Sequence, residues 1–249
     1  MNVKLIAHTE LSDDFRKSLP DECFDDYYEN PSYSHRAAVA LTAIRTCYSH
    51  LKPTEIVTAE GEKYFGQSAT DGEDGTEADR LIRHIVASKH TSTLEHITYT
   101  FAVEGVSRSL LAQLTRHRVG FSYSVQSQRY VRFGSEDKSG GFEYVTPPST
   151  EDKWKKGVCA TSMYEQFMKT AQMYYDVLRE MGVPAEDARM VLPNAAACNI
   201  VMTVNLRALL DFYAKRKRGN GAQHEIAELA ERLREEVVKV DQWTTKFFE

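Results

Sequence analysis

The chain has 249 residues, is 42% hydrophobic and carries a formal net charge of −5 at pH 7. That length and apolar content suffice for a real core in one domain, and the acidic balance excludes general attraction to nucleic acid or an anionic membrane, so any anion site has to be local. No run of 18 apolar residues exists, and MNVKLIAHTE at the start has no basic stretch ahead of a long apolar one, which predicts a cytoplasmic protein.

In chain order, a short β-rich run predicts a strand over 3–7, and helical spacing comes next over 35–49. The polar stretch 54–76, ending in DGEDGTE, reads as a loop, followed by a helix over 77–88 and a strand over 97–103. SRSLLAQLTRHR predicts a helix over 107–117, with Ser107 as N-cap and Leu110, Leu111 and Leu114 on one apolar face. Strands are predicted over 129–133 and 142–145, either side of a loop at 135–141, and helices over 159–181, 185–192, 200–215 and 222–248. The strands are too few and too unevenly spaced for a doubly wound sheet, so the expected class is α+β, helix-rich, in a single domain. Cys23, Cys47, Cys159 and Cys198 lie far apart with no CxxC or CxxH pair, which argues for buried thiols over a zinc knuckle or a dithiol centre.

One segment departs from the acidic average. Between Gly105 and Ser135 there is no Asp or Glu, yet Arg108, Arg116, His117, Arg118, Arg129 and Arg132 all occur. Cations in the last turn of a helix complement its dipole by about 0.3–1 kcal/mol each, which would explain Arg116 to Arg118 without any ligand. Dipole complementarity does not extend to the residues after the helix. Ser122, Ser124, Gln126, Ser127, Gln128 and Arg129 add short donors directly after the guanidinium groups, and Arg forks with Ser hydroxyls make an oxygen shell for phosphate. A small phosphorylated ligand accounts for this composition better than a lattice of surface salt bridges.

These residues resemble the signature of the flavin-dependent thymidylate synthases: Arg-His-Arg, seven intervening positions, Ser, and an Arg two residues later. Here Arg116-His117-Arg118 is followed by VGFSYSVQ and then Ser127-Gln128-Arg129, a spacing of eight. The extra residue is most simply placed in the Val119-Gly120-Phe121 turn, where Gly tolerates an altered backbone. The resemblance extends to HTSTLEH (90–96), to the TYTFAVEGVSR strand, and to AIRTCYS (43–49), which has Cys47 where Ser is commoner. Downstream, ARMVLP, TVNLRALLDF, Arg216 and AQHEI match in order, with His224 at the usual Trp; in all about Ser34 to Ser49 and Arg80 to Ile226 are covered.

The resemblance implies a small, mainly antiparallel sheet and a homotetramer whose sites are composites of several subunits. It implies conversion of dUMP to dTMP, with 5,10-methylenetetrahydrofolate giving the carbon and NADPH the electrons through bound FAD. No covalent protein nucleophile is required. By the same resemblance Ser92, Glu95, Arg116, His117, Arg118, Asn205 and Arg207 lie against FAD, as does Asp211, which stands where relatives often have Asn or His. Gln113, Gln126, Ser127, Gln128, Arg129 and Arg189 belong to the dUMP site, which Arg116 also reaches from a neighbouring subunit. Arg216 is the catalytic candidate, its fixed charge set near uracil N3 and O4 to make C5 more nucleophilic. Lys215, Lys217 and Arg218 read as a solvated helix end before a Gly stop.

Two other classes fit the residues less well. A metal hydrolase would use His84, His90 and His96 near Glu95, but HTSTLEH is neither HExxH nor HxxEH. A nucleic-acid-binding module would use the cationic segment with Phe121, Tyr123 and Tyr130 as stacking surfaces, against the acidic total.

Overall fold

The computed structural model describes residues 1–19 and 35–248; Cys23 and Ser34 lie outside them. The fold is built on a four-stranded sheet in the order β1 (Asn2–His8), β2 (Thr98–Ser107), β6 (Ala197–Asn205), β3 (Phe121–Val125), and every neighbouring pair is antiparallel. Alternation decides which face is which. Tyr99, Phe101 and Val103 of β2 are buried with Cys198, Ile200, Met202 and Val204 of β6, while Ala102, Asn199, Val201 and Thr203 between them are not. Onto the buried face pack α5 (Arg108–Leu114), α8 (Leu206–Arg216) and α9 (His224–Val240), contributing Leu110, Leu114, Leu209, Phe212, Ile226, Leu229, Leu233 and Val237 to one core. Each such side chain contributes roughly 1.5–3 kcal/mol.

The mixed helix and antiparallel-sheet class is as expected, and several boundaries are not. The predicted helix over 200–215 is a strand up to Asn205 and a helix only after it. The period-2 burial of Cys198, Ile200, Met202 and Val204 outweighs the helical spacing that the same apolar residues also satisfy. FSYSV forms β3, with Phe121, Tyr123 and Val125 turned to the core and Ser122 and Ser124 exposed. No strand forms over 129–133, where Val131 N–H donates to Ser127 O (2.9 Å) and closes a turn; in 142–145 only Tyr144 bridges, to Ala196.

The polar stretch 54–76 holds a helix, α3 (Ile56–Phe65), because Ile56, Val57, Tyr64 and Phe65 supply a buried face against Ala37, Ala38 and Leu41 of α2 (His35–Thr46). α4 (Glu77–Ala87) comes next, started by a reciprocal capping box between Thr76 and Asp79. The predicted final helix stops at Val240, where Asp241 turns inward to accept from Arg36 Nε (2.6 Å) and from the Tyr99 hydroxyl (2.7 Å). A 3-10 segment, Gln242–Phe248, completes the described chain.

Candidate active site

Two groups of the sequence-predicted residues are brought together, at different places on this frame. The first forms where α5 gives way to β3. The hydroxyl of Tyr123 donates to Leu114 O (3.0 Å) and His117 O (2.8 Å), pinning the intervening turn. Gly120 then adopts φ +75°, and its carbonyl accepts from Asn205 N–H (3.0 Å). A Cβ here would lie 2.6 Å from Ala208 Cβ and 2.6 Å from Asn205 Nδ2, so only glycine lets the turn sit on the start of α8. In the same turn Val119 projects outward, 88% exposed.

Asn205 performs two tasks at this junction. Its Oδ1 caps α8 by accepting from Ala208 N–H (2.8 Å), and its backbone holds Gly120. Leu206 N–H donates to Ile97 O (2.8 Å), which brings in the 3-10 turn Thr91–His96. Across that contact Arg207 Nη1 pairs with Glu95 Oε1 at 2.5 Å, both side chains about half exposed, and Ser92 lies exposed on the same turn. Asp211 is paired with Lys215 (2.7 Å) one turn along α8 on the exposed surface. Arg116 and Arg118 are exposed and meet no acid among the described residues.

His117 faces inward. Its ring is half-buried, edge-on to Phe212 with centroids 4.9 Å apart and beside Phe121 at 6.0 Å, and its Nε2 accepts from Arg216 Nε at 3.1 Å. Burial first, then the Arg216 and Lys215 charges, hold the imidazole below its ordinary pKa. The neutral ring with its proton on Nδ1 is the form that can accept from Arg216. Because the native pKa is depressed, this contribution to stability is fully present above the ordinary histidine value of about 6.5 and is lost as the pH drops from there through the native value. Denaturation measured across that interval is expected to show a steeper acid-side loss of stability in the parent than in His117→Gln, whose amide oxygen still accepts but does not titrate.

The second group lies at the other end of β3. Gln126 N–H donates to Asn199 O (2.8 Å), and Gln126 O accepts from Arg108 Nη2 (2.7 Å). Arg108 Nε is buried and has no hydrogen-bond partner among the described residues. An orphaned guanidinium N–H costs on the order of 1–3 kcal/mol or more, and nothing in the sequence marks it out beyond membership of the cationic segment. Beyond Gln126, Ser127 Oγ accepts from Arg129 N–H (3.2 Å) and Gln128 occupies the turn. Arg129 Nε pairs with Glu186 (2.6 Å) and its guanidinium lies over Tyr130 (5.5 Å). Arg189 Nε donates to the backbone carbonyl of Glu186 (2.9 Å), so residue 186, which the sequence did not single out, meets Arg129 through its carboxylate and Arg189 through its backbone. Gln113 is half-buried on α5.

Among the described residues no hydrogen bond or ion pair joins Arg216 to Gln126, Ser127, Gln128, Arg129 or Arg189. The two groups are separate within one chain. Their chemistry nevertheless suits a dinucleotide cofactor and a phosphorylated ligand: free guanidinium groups at 116 and 118, a close-packed glycine turn, and an unmet buried N–H at 108. Among the described residues no group of three or more His, Cys, Asp or Glu is arranged to hold a metal ion. Phe121 and Tyr123 stack on each other against the core (centroids 5.7 Å), which removes them as stacking surfaces for bases. No helix among the described residues is long and apolar enough to cross a membrane.

Comparison with known proteins agrees with these features. A family model described as thymidylate synthase complementing protein matches residues 32–241. The flavin-dependent thymidylate synthase of Geobacter sulfurreducens is 40% identical over 194 residues, 78% of this chain and 73% of that protein. That of Clostridium tetani is 32% identical over 231 residues, 86% of this chain and 81% of that one. Among solved structures, the flavin-dependent thymidylate synthase ThyX of Helicobacter pylori, complexed with FAD and dUMP, superposes with a TM-score of 0.63 at 21% identity, covering 100% of this chain and 98% of that one. The UMP/dUMP methylase PolB of Streptomyces cacaoi, bound with 5-Br dUMP, gives 0.67 at 21% identity over 99% and 94% of the two chains. At that identity the two structures speak for the fold alone.

Proposed function

The chain belongs to the flavin-dependent thymidylate synthases, FAD-dependent enzymes that methylate dUMP, and on that footing we propose that it makes dTMP from dUMP with 5,10-methylenetetrahydrofolate as carbon donor and NADPH as reductant. We propose further that it acts in the cytoplasm as a homotetramer of single-domain chains, without a covalent protein nucleophile. The observation that carries this reading is the Arg216–His117 contact beside the two unpaired arginines, Arg116 and Arg118. When bound, the flavin would relay electrons; its pyrophosphate and its anionic reduced ring call for fixed positive charge.

The residues of the chain then divide the work. Arg116, Arg118 and Arg207, with Ser92, Glu95 and Asn205 around them, would hold FAD, and His117 would fix Arg216 from behind. Asp211, engaged with Lys215 in the single chain, would border that site. Gln113, Gln126, Ser127, Gln128, Arg129 and Arg189 would hold phosphate and ribose. Arg216 would stabilise negative charge on the uracil ring and raise the nucleophilicity of C5. The separation of the two groups within one chain supports a site completed by neighbouring subunits, with Arg116 reaching a neighbour's nucleotide.

The test is anaerobic turnover with dUMP, methylenetetrahydrofolate, FAD and NADPH, on protein that binds added FAD and absorbs near about 450 nm as an oxidised flavin does. A colourless protein that takes up no FAD overturns the reading. Arg129→Ala is expected to weaken dUMP binding by about 10–100-fold, the worth of a charge-assisted hydrogen bond, with kcat changed much less; calorimetric titration that finds dUMP affinity unchanged contradicts this.

The thiols bear on the missing nucleophile. Cys198 is buried, and burial pushes its thiol up. Cys47 is exposed, not buried as its isolation in the sequence suggested, its Sγ 3.7 Å from Ala43 O, with no cation or base among the described residues hydrogen-bonded to it. The Cys159 thiol is held below its ordinary pKa by the Ser162 and Thr161 N–H groups at the start of α6 (Ala160–Glu180). Cys47→Ser is therefore expected to keep most turnover; loss of all dTMP formation with FAD still bound would count against it.

A further inference from the structure

α6, at 21 residues and about 31 Å the longest helix described, has two apolar faces. One, with Met168, Ala171 and Tyr175, packs against the rest of the chain. The other is Met163, Phe167, Thr170, Tyr174, Val177 and Met181, in steps alternating between four and three residues, and every one of them is exposed. Phe167 is 58% and Tyr174 55% exposed. This is the 3.5-residue spacing of a helix–helix seam, which a solvated helix face has no reason to keep. Trp154 and Val158, in the β4–β5 hairpin (Trp154–Lys155, Val158–Cys159) that leads into α6, are exposed too and prolong the apolar surface.

From this seam we infer that α6 packs antiparallel against α6 of a second copy of this chain, across a twofold axis. Turned end for end, the seam maps onto itself: Met163 falls opposite the partner's Met181, Phe167 opposite the partner's Val177, and Thr170 opposite the partner's Tyr174. Phe167 then meets the smaller Val177 and Tyr174 the smaller Thr170, which is how facing layers interdigitate. A parallel pair would stack Phe167 and Tyr174 each on its own copy. Parallel pairing would also set Lys169 and Glu180 each against its own copy, like charge against like, which the antiparallel register avoids. A twofold contact of this kind is self-complementary by construction. Charged residues along the helix (Glu165, Lys169, Asp176, Arg179, Glu180) make a lipid surface a poor alternative.

The inference rests on the multi-subunit assembly proposed above and adds to it which surface is used and in which direction. Phe167→Glu/Val177→Glu alters only exposed positions, so helix content and melting temperature should stay near those of the parent. The mass by light scattering should fall twofold. Orientation is read from cysteine variants under mild oxidant, against the parent as background. Positions 167 and 177 are about 15 Å apart along one helix, too far for an internal disulfide. Phe167→Cys/Val177→Cys should give a covalent dimer with a mapped 167–177 link, and neither single variant should give one. A charged double variant that keeps the parent's mass overturns the inference while leaving FAD binding and dTMP formation untouched, and cross-linking by the single variants overturns its antiparallel direction. A parent that is itself monomeric overturns this and the assembly reading together.

Discussion

Arg216→Ala is expected to lower the rate of dTMP formation by about 10²–10³-fold, the scale on which removing a charge-stabilising donor acts in other active sites, while dUMP affinity changes by far less. The geometry explains why the effect falls on chemistry. Arg216 spends its Nε on His117 Nε2 (3.1 Å), a neutral acceptor that fixes the plane of the guanidinium without cancelling its charge. The neighbouring acid, Asp211, is taken by Lys215 (2.7 Å). The terminal amino groups of Arg216 thus point a full positive charge from a rigid mount. Arg216→Lys should recover little, since one ammonium cannot both hold His117 and present a planar pair of donors. Single-turnover rates beside dUMP titrations separate the two effects. An Arg216→Ala enzyme within a few-fold of the parent would remove the proposed activation.

Gly120→Ala should be the most damaging single methyl near the site. The native φ of +75° costs an L-residue about 1–2 kcal/mol, and the added carbon would sit 2.6 Å from Ala208 Cβ, part of a helix that cannot step aside. The expected loss is on the order of 3 kcal/mol, about 6–12 °C in melting temperature for a chain of this size. Because the same contact ties Arg116 to Arg118 to Asn205 and Arg207, FAD affinity should fall with it. Gly140→Ala is the control: its φ is +67° but nothing lies within 4 Å of the added carbon, so it should show only the smaller conformational cost. Equal melting temperatures for the two variants would mean the close approach is unimportant.

How much of this could be read without coordinates depends on the range of the interaction. Ser107 as an N-cap was legible because cap and first turn are neighbours in sequence, and its side chain does accept from Leu110 N–H (3.0 Å). The motifs that carry the family resemblance were legible as spacings. The switch at Asn205 was not, since a run of apolar residues satisfies strand and helix periods together until the sheet supplies partners on both sides. α3 was hidden for a related reason: its few anchors only become a face once α2 is alongside. Glu186 and Arg108 gained their meaning from contacts across 57 and 18 residues of sequence, and no local pattern encodes those.

The ion pair between Arg36 and Asp241 joins residues 205 apart in sequence, both almost fully buried, with His8 at 2.7 Å and Tyr99 also engaged. Breaking such a pair by removing one member costs about 3–5 kcal/mol. Emergence from the ribosome therefore matters: until position 241 has left the exit tunnel, the guanidinium of Arg36 lacks the carboxylate it is buried with. A contact spanning that much sequence acts as a clasp that can close the domain only after all the residues between its two halves have been made.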